Sequence, residues 1–122
     1  MDLKINTRHV DDVTVVDAAG RIVLGEAARR FREVIQDLAE KGHKKIVVNL
    51  ADVYYIDSSG TGELVAGCTS IIHRGGAMKL MNVTERVRGL LKITKLETVF
   101  QVFDNEASAV GSFGPTAEEL QP

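Results

Sequence analysis

Cysteine occurs once in these 122 residues, at Cys68. No internal disulfide can form, and zinc sites built from two or more cysteines are excluded. This usage fits a reducing compartment. Tryptophan is absent, aromatics make up 5% of the chain and proline occurs twice, so the core must be assembled from Val, Ile, Leu and Ala. A concentration of one charge sign is missing too. Lys and Arg total 15 against 17 Asp and Glu, a net charge of −2, and both signs are spread along the chain. Binding a phosphate backbone needs a basic face, so nucleic acid is not expected as a partner. The basic stretch Lys41-Gly42-His43-Lys44-Lys45 reads as a solvated turn between a helix and a strand. No apolar run approaches the roughly 20 residues that span a bilayer, so membrane insertion is not expected. Met1-Asp2-Leu3-Lys4 does not open the basic-then-apolar pattern of a signal peptide. The expected location is cytoplasmic.

What is present suits one folded domain. The chain is 44% hydrophobic and 26% charged, ordinary values for a globular protein. At this length roughly two-thirds of the unfolded surface is buried on folding, enough for a core without disulfide or metal. Residues 3 to 8 alternate apolar and polar, Asp11-Asp12 marks a turn, and residues 13 to 18 read as a second strand. Together they predict an antiparallel hairpin, with Gly20 breaking the second strand and Arg21-Ile22-Val23-Leu24 continuing it or beginning a loop. From Glu26 to Glu40 the period becomes helical, with Ala27, Phe31, Val34, Ile35 and Leu38 on one stripe. Lys45 to Leu50 is nearly continuously apolar, as in an interior strand covered on both sides. A second helix is expected over residues 58 to 73, with Leu64, Cys68, Ile71 and Ile72 on one side. A strand over 78 to 82 follows. A third helix is expected behind an N-cap at Thr84, then a last strand over 98 to 103 and a short helix capped by Asp104. Strands alternating with helices after a hairpin imply right-handed crossovers and a mixed, mostly parallel sheet with about four helices, an α/β fold.

The unusual stretch is Ile56-Asp57-Ser58-Ser59-Gly60-Thr61-Gly62-Glu63. It follows a buried strand and opens a helix, and sites of parallel α/β sheets gather at the C-terminal ends of strands. The first amides of a helix lack internal partners and carry partial positive charge; Asp57, Ser58 and Ser59 can all cap them. Gly60 and Gly62 leave the first turn bare, so that a partner's backbone can approach. The plainer reading is a well-capped helix start whose glycines serve packing against the sheet. Two glycines in a first turn cost about 1 kcal/mol each relative to Ala, so packing or function must keep them. A P-loop is excluded because no Lys follows Gly62. A nucleophile elbow is excluded because neither serine has glycines two residues away on both sides. His9, His43 and His73 sit in no informative motif. Asp57-Ser58-Ser59-Gly60 has no second carboxylate segment to make an aspartic-protease pair. No catalytic or metal-ligating residue is assigned.

The chain resembles the STAS-domain anti-sigma factor antagonists of bacteria. The matching letters are Ile46-Val47-Val48-Asn49-Leu50, then Val53-Tyr54-Tyr55-Ile56-Asp57-Ser58-Ser59-Gly60-Thr61-Gly62, then Gly75-Gly76-Ala77-Met78-Lys79-Leu80. Gly20 with a hydrophobic two residues on, and Val87-Arg88-Gly89-Leu90-Leu91 with Leu96, fit the same pattern. The resemblance covers residues 3 to 110, and Asp-Ser-Ser-Gly after an apolar strand is its specific part. It implies a STAS-type fold over residues 1 to 112; the remaining residues, 113 to 122, read as a flexible tail, frayed or partly helical. It also implies a binder that is not an enzyme and needs no cofactor. The antagonist binds an anti-sigma factor, itself a serine protein kinase, and so frees a sigma factor. The kinase phosphorylates the first serine after the aspartate, Ser58 here, and a serine phosphatase reverses this. The implied partner surface is Asp57, Ser58, Ser59, Gly60, Thr61 and Gly62 with Arg21 and Val23.

Two positions depart from the pattern. Family members often carry Leu or Ile at Thr61, which as a hydroxyl can be an alternative phosphate acceptor. Many carry an acidic residue at Val23. An added phosphoryl group brings a charge of about −1.5 to −2 to a surface that Asp57 and Glu63 already make acidic. Two other readings are a non-phosphorylated STAS subunit docking on a lipid or solute ABC transport complex, and a nucleotide-binding or weakly hydrolytic module.

Overall fold

The structure is a computed structural model and describes residues 3–114. The elements in chain order are β1 (Lys4–Val10), β2 (Val13–Ile22), α1 (Glu26–Glu40), β3 (Lys45–Ile56), α2 (Ser58–His73), β4 (Ala77–Met81), α3 (Glu85–Ile93), β5 (Val102–Phe103) and α4 (Glu106–Gly111). One five-stranded sheet has the order β1-β2-β3-β4-β5. The hairpin pair β1–β2 is antiparallel and the other three pairs are parallel. Each helix between parallel strands therefore returns the chain to an adjacent position, the simplest α/β winding. The α/β architecture, the hairpin, the mostly parallel sheet and four helices are as the sequence pattern implies.

The sheet is buried on both faces, unequally. On one face Val16, Ile22, Ile46, Val48 and Leu80 pack with Phe31 and Ile35 of α1, Leu64 and Ile71 of α2, and Val87 and Leu91 of α3. Residues of opposite parity, Val13, Val15, Val47 and Met81, form a second cluster with Ala109 of α4. The split follows from the period-two alternation of strand side chains. It also explains why β2 and β3 read as almost unbroken apolar runs.

Several boundaries differ from expectation. After Gly20 the chain continues as strand to Ile22 rather than beginning a loop at once. Gly20 takes φ +114°, and the pairing with β3 slips on either side, between Asp17 and Ala19 and between Gly20 and Arg21. The glycine absorbs an irregularity that lets the strand run on to Ile22. β3 continues to Ile56, and its last six residues lose strict alternation: Val53 and Ile56 are buried while Tyr54 and Tyr55 are exposed. The expected strand over 98 to 103 shrinks to Val102–Phe103. Asn105, not Asp104, caps α4, its side chain accepting from the Ser108 amide at 2.8 Å. Ile72 is exposed rather than part of the α2 stripe. Thr84 caps α3 as expected, its hydroxyl accepting from the Val87 amide at 3.3 Å. Phe113, expected to begin a flexible tail, packs on the second core; residues 115–122 of that tail lie outside the described residues.

The second face is held by polar contacts as well as apolar ones. Lys79 on β4 is buried, yet its ammonium donates to the Ser112 hydroxyl at 2.9 Å and carbonyl at 3.2 Å. It also lies 4.3 Å from the Phe113 ring centroid, a cation–π contact at the end of α4. Arg8 of β1 bridges Asp17 of β2 at 2.7 Å and Glu106 of α4. The Asn49 amide joins the chain by donating to Asp17 at 2.8 Å.

The Arg8 guanidinium holds the carboxyls of Asp17 and Glu106 below the usual carboxylate range. A lowered folded pKa means the stabilisation is complete above the unfolded value and is lost as pH falls through the folded one. The groups are partly exposed, so the contribution is modest. Arg8→Ala is expected to lower stability by about 1 kcal/mol at neutral pH. In urea denaturation the gap from the parent protein should close below about pH 4, the ordinary carboxylate range; a constant gap down to pH 3 would contradict the assignment.

Candidate functional site

The end of β3 and the start of α2 meet at one corner on the C-terminal edge of the sheet. Asp57 sits at this corner in extended conformation as the N-cap of α2. One carboxylate oxygen accepts from the Gly60 amide at 2.9 Å. The other accepts from the amide of Leu24, in the β2–α1 loop, at 2.8 Å. The backbone repeats the connection, because the Asp57 amide donates to the Ile22 carbonyl at 3.3 Å. Burial pushes the Asp57 carboxyl up. The amides of Leu24, Gly60, Ser59 and Asp57 itself outweigh that and hold it below its ordinary value, as expected for a carboxylate that caps a helix.

The residues of the motif divide between inside and outside. Ser58 is exposed and Ser59 is half-buried. Gly60 is buried, and a Cβ there would meet the Ile22 carbonyl oxygen at 2.0 Å. What approaches Gly60 closely is the chain's own β2, not a partner, so at this position the plainer packing reading holds. Gly62 faces open space. Thr61 is only 5% exposed, and its hydroxyl donates to the Asp57 carbonyl at 2.9 Å. Thr61 is thus part of the cap, and its inward hydroxyl removes it from the surface as an alternative phosphate acceptor. Glu63 pairs with Arg32 of α1 at 3.6 Å, so its charge is turned toward α1 and does not add to the acidity at the corner. Val23 is half-buried, and its carbonyl accepts from the Ala28 amide at 3.0 Å where α1 begins. Arg21 stands beside Tyr55 in the β2–β3 register, its Nε enclosed and without a partner.

Beside Ser58 lies a groove of about 460 Å³ between the end of β3 and α3, lined by Tyr55, Asp57, Ser58, Arg86, Leu90 and Ile93 among others. The surface around it is unusually apolar for exposed positions. In the groove Ile93 is 82% exposed and Tyr55 is also exposed; Leu24, 78% exposed, stands apart in the β2–α1 loop, reached from the corner through the bond of its amide to Asp57. These were not singled out from sequence. Leu24 precedes a glycine in a loop, and Ile93 falls off the Val87–Leu91 stripe of α3. An apolar residue stranded on a polar helix face is the available signal for the latter. A larger hollow of about 680 Å³ between β1 and α1 includes His9 and His43. Their rings stack 5.6 Å apart beside Thr14, near the opposite end of β2 from the Ser58 corner. Cys68 is buried, its thiol pushed up by burial and donating to the Met78 carbonyl at 3.7 Å. Among the described residues no group of three or more His, Cys, Asp or Glu is placed to hold a metal ion, and no helix is long and apolar enough to cross a membrane.

Known proteins share this fold. The family model of the STAS domain matches residues 4–109. The anti-sigma-B factor antagonist of Bacillus subtilis is 31% identical over 102 residues, covering 84% of this chain and 92% of that protein. A crystal structure of a candidate anti-sigma factor antagonist from Thermotoga maritima superposes with a TM-score of 0.82 at 29% identity, over 88% of this chain and 92% of that one. The Bacillus cell fate determinant SpoIIAA in its phosphorylated form has a TM-score of 0.71 at 19% identity, over 90% of this chain and 99% of that one, a likeness of fold.

The two glycines of the corner separate packing from exposure. Gly60→Ala drives a Cβ into backbone and is expected to cost about 2–4 kcal/mol. Gly62→Ala meets nothing and should raise stability by up to about 1 kcal/mol through helix propensity. Chemical denaturation of both variants checks the pair; equal effects would show that the corner is not built as described.

Proposed function

This chain belongs to the STAS domain family, and from that premise we propose that it is an anti-sigma factor antagonist controlled by phosphorylation at Ser58. The observation that carries the reading is the exposure of Ser58 at the first position of α2, beside a groove rimmed by exposed apolar side chains. The names of the curated relatives support the anti-sigma factor as partner. The unmodified protein presents Ser58, Ser59 and Gly62, with Leu24, Tyr55 and Ile93 as apolar anchors, to the anti-sigma factor, which then releases its sigma factor. Arg21 and Val23 belong to the same end of the sheet and border this surface.

The proposed switch is a phosphoryl transfer. In the complex the anti-sigma factor acts as a kinase: Ser58 Oγ forms a bond to the γ-phosphorus of ATP, the bond to the bridging oxygen breaks, ADP leaves, and the hydroxyl proton passes to a base of the kinase. The helix amides near Ser58 tolerate an anion, and the Asp57 cap does not use the Ser58 side chain. The fold therefore accommodates the modification. At an interface, by contrast, about two negative charges must be desolvated next to apolar anchors and Asp57. A phosphatase restores the hydroxyl. Every 1.4 kcal/mol so introduced weakens docking about tenfold. Docking on a transport complex without phosphorylation is the less favoured reading, since the names of the curated relatives point to the anti-sigma factor.

The test is incubation with the anti-sigma factor and ATP, followed by mass mapping, with binding of the variants alongside. Ser58→Ala should bind and resist modification. Ser58→Asp should keep its circular dichroism spectrum and melting temperature yet bind at least tenfold more weakly, about 1.4 kcal/mol. Modification confined to other residues, or tight binding by Ser58→Asp, would count against the proposal.

A further inference from the structure

Ser58 shares its groove with a guanidinium that has no carboxylate of its own among the described residues. Arg86 lies in the first turn of α3, and its Cζ is 5.4 Å from the centroid of the Tyr55 ring. Among the described residues Arg86 enters no ion pair, whereas Arg88, two residues on and around the same helix, pairs with Asp104 at 3.7 Å. The charged groups lining the groove are Asp57, Glu85 and Arg86. Both oxygens of Asp57 are already taken by the amides of Gly60 and Leu24. Glu85 stands in the first turn of α3, where the helix dipole favours it. Arg86 is left holding only the face of an exposed aromatic ring, a weaker contact than a bidentate, charge-assisted bond to phosphoryl oxygens.

We propose that Arg86 receives the phosphoryl group placed on Ser58, leaving the face of Tyr55 to pair with it across the groove. The inference rests on the reading of Ser58 as the modified residue and deepens it. Modification then acts twice on the docking surface. It adds negative charge at Ser58, and it withdraws the cation that covers Tyr55, so that a partner shaped to the unmodified groove meets both a new charge and a rearranged wall. Arg86 is a receiver and takes no part in the transfer itself.

The test uses the full chain with phosphoserine installed at position 58 during translation, so that no kinase is needed. The second ionisation of the phosphoserine, ordinarily near pH 6, is followed by phosphorus NMR in the parent, Arg86→Gln and Arg86→Lys proteins. Pairing with Arg86 favours the dianion, so Arg86→Gln should raise the midpoint by about half a unit, roughly threefold in the ionisation constant. Arg86→Lys should restore part of the shift. The Tyr55 ring signals should move on phosphorylation in the parent and stay still in Arg86→Gln. Coincident titrations in all three proteins, or Tyr55 signals indifferent to phosphorylation, would overturn the receiver. A purely structural role for Arg86 would leave the phosphorus titration unmoved. Binding of the same phosphoprotein to the anti-sigma factor is a separate readout: retained tight binding with a clear Arg86 effect would sink the switch while leaving the receiver intact.

Discussion

The carboxylate of Asp57 ties together two parts of the chain 33 residues apart, the start of α2 and the loop after β2. A neutral cap could serve Gly60 alone. The second bond, from the Leu24 amide, fixes where the β2–α1 loop sits relative to the exposed serine. Two amides on one carboxylate are charge-assisted bonds, and they outweigh the cost of partial burial. The close approach of Gly60 to the Ile22 carbonyl depends on the same placement. The inward side of the exposed corner is saturated: Asp57, Gly60 and Thr61 all spend their polar or steric freedom on the chain itself.

This arrangement follows from the winding of the sheet. Parallel strands β2 and β3 end side by side, with Ile22 opposite Ile56, so the loops leaving them emerge at one edge. Since α3 packs against the same face as α1 and α2, its first turn reaches the groove beside Ser58. The opposite face is closed by α4 through Lys79, Arg8 and the Val13 cluster. The half of the molecule that stabilises the sheet from behind is thus separate from the half that carries the Ser58 corner, and a charge added at the corner need not disturb the second core.

The helices α1 and α2 were legible in the sequence to the residue, because a strong apolar stripe in one and the Asp57 cap in the other leave little choice. The position of Ser58 at the corner was legible for the same reason: a buried strand, a capping residue and small residues in succession have few geometries. The second half of β3 was harder, since its alternation fails where Val53 and Ile56 turn inward three residues apart. Gly20 reads locally as a breaker, and only pairing with β3 turns it into a bulge. Thr61 misled for a different reason. A hydroxyl three residues after an exposed serine looks exposed on paper, but the helix carries it around to the sheet side, where it bonds to Asp57. The groove itself was not legible. Tyr55, Arg86 and Ile93 are brought together by the docking of α3 on the end of β3, a long-range contact that leaves no local pattern.

The division of labour at the corner also bears on the proposed phosphorylation of Ser58, because it would let such a modification act as a control. If Ser58 itself capped α2, modifying it would alter the stability of the helix, and partner release would come mixed with unfolding. The cap rests on Asp57, and the neighbouring hydroxyl that does bond to the backbone belongs to buried Thr61. A phosphoryl group on Ser58 has no internal bond to break, while the helix amides lessen its cost to the folded state. Its free energy is therefore felt mainly where a partner must strip water from it, against the exposed Leu24, Tyr55 and Ile93. A modification that is cheap for the fold and expensive for the interface changes affinity without changing the protein, and the assignment of the cap to Asp57 rather than to the adjacent Ser58 is what makes the two costs independent.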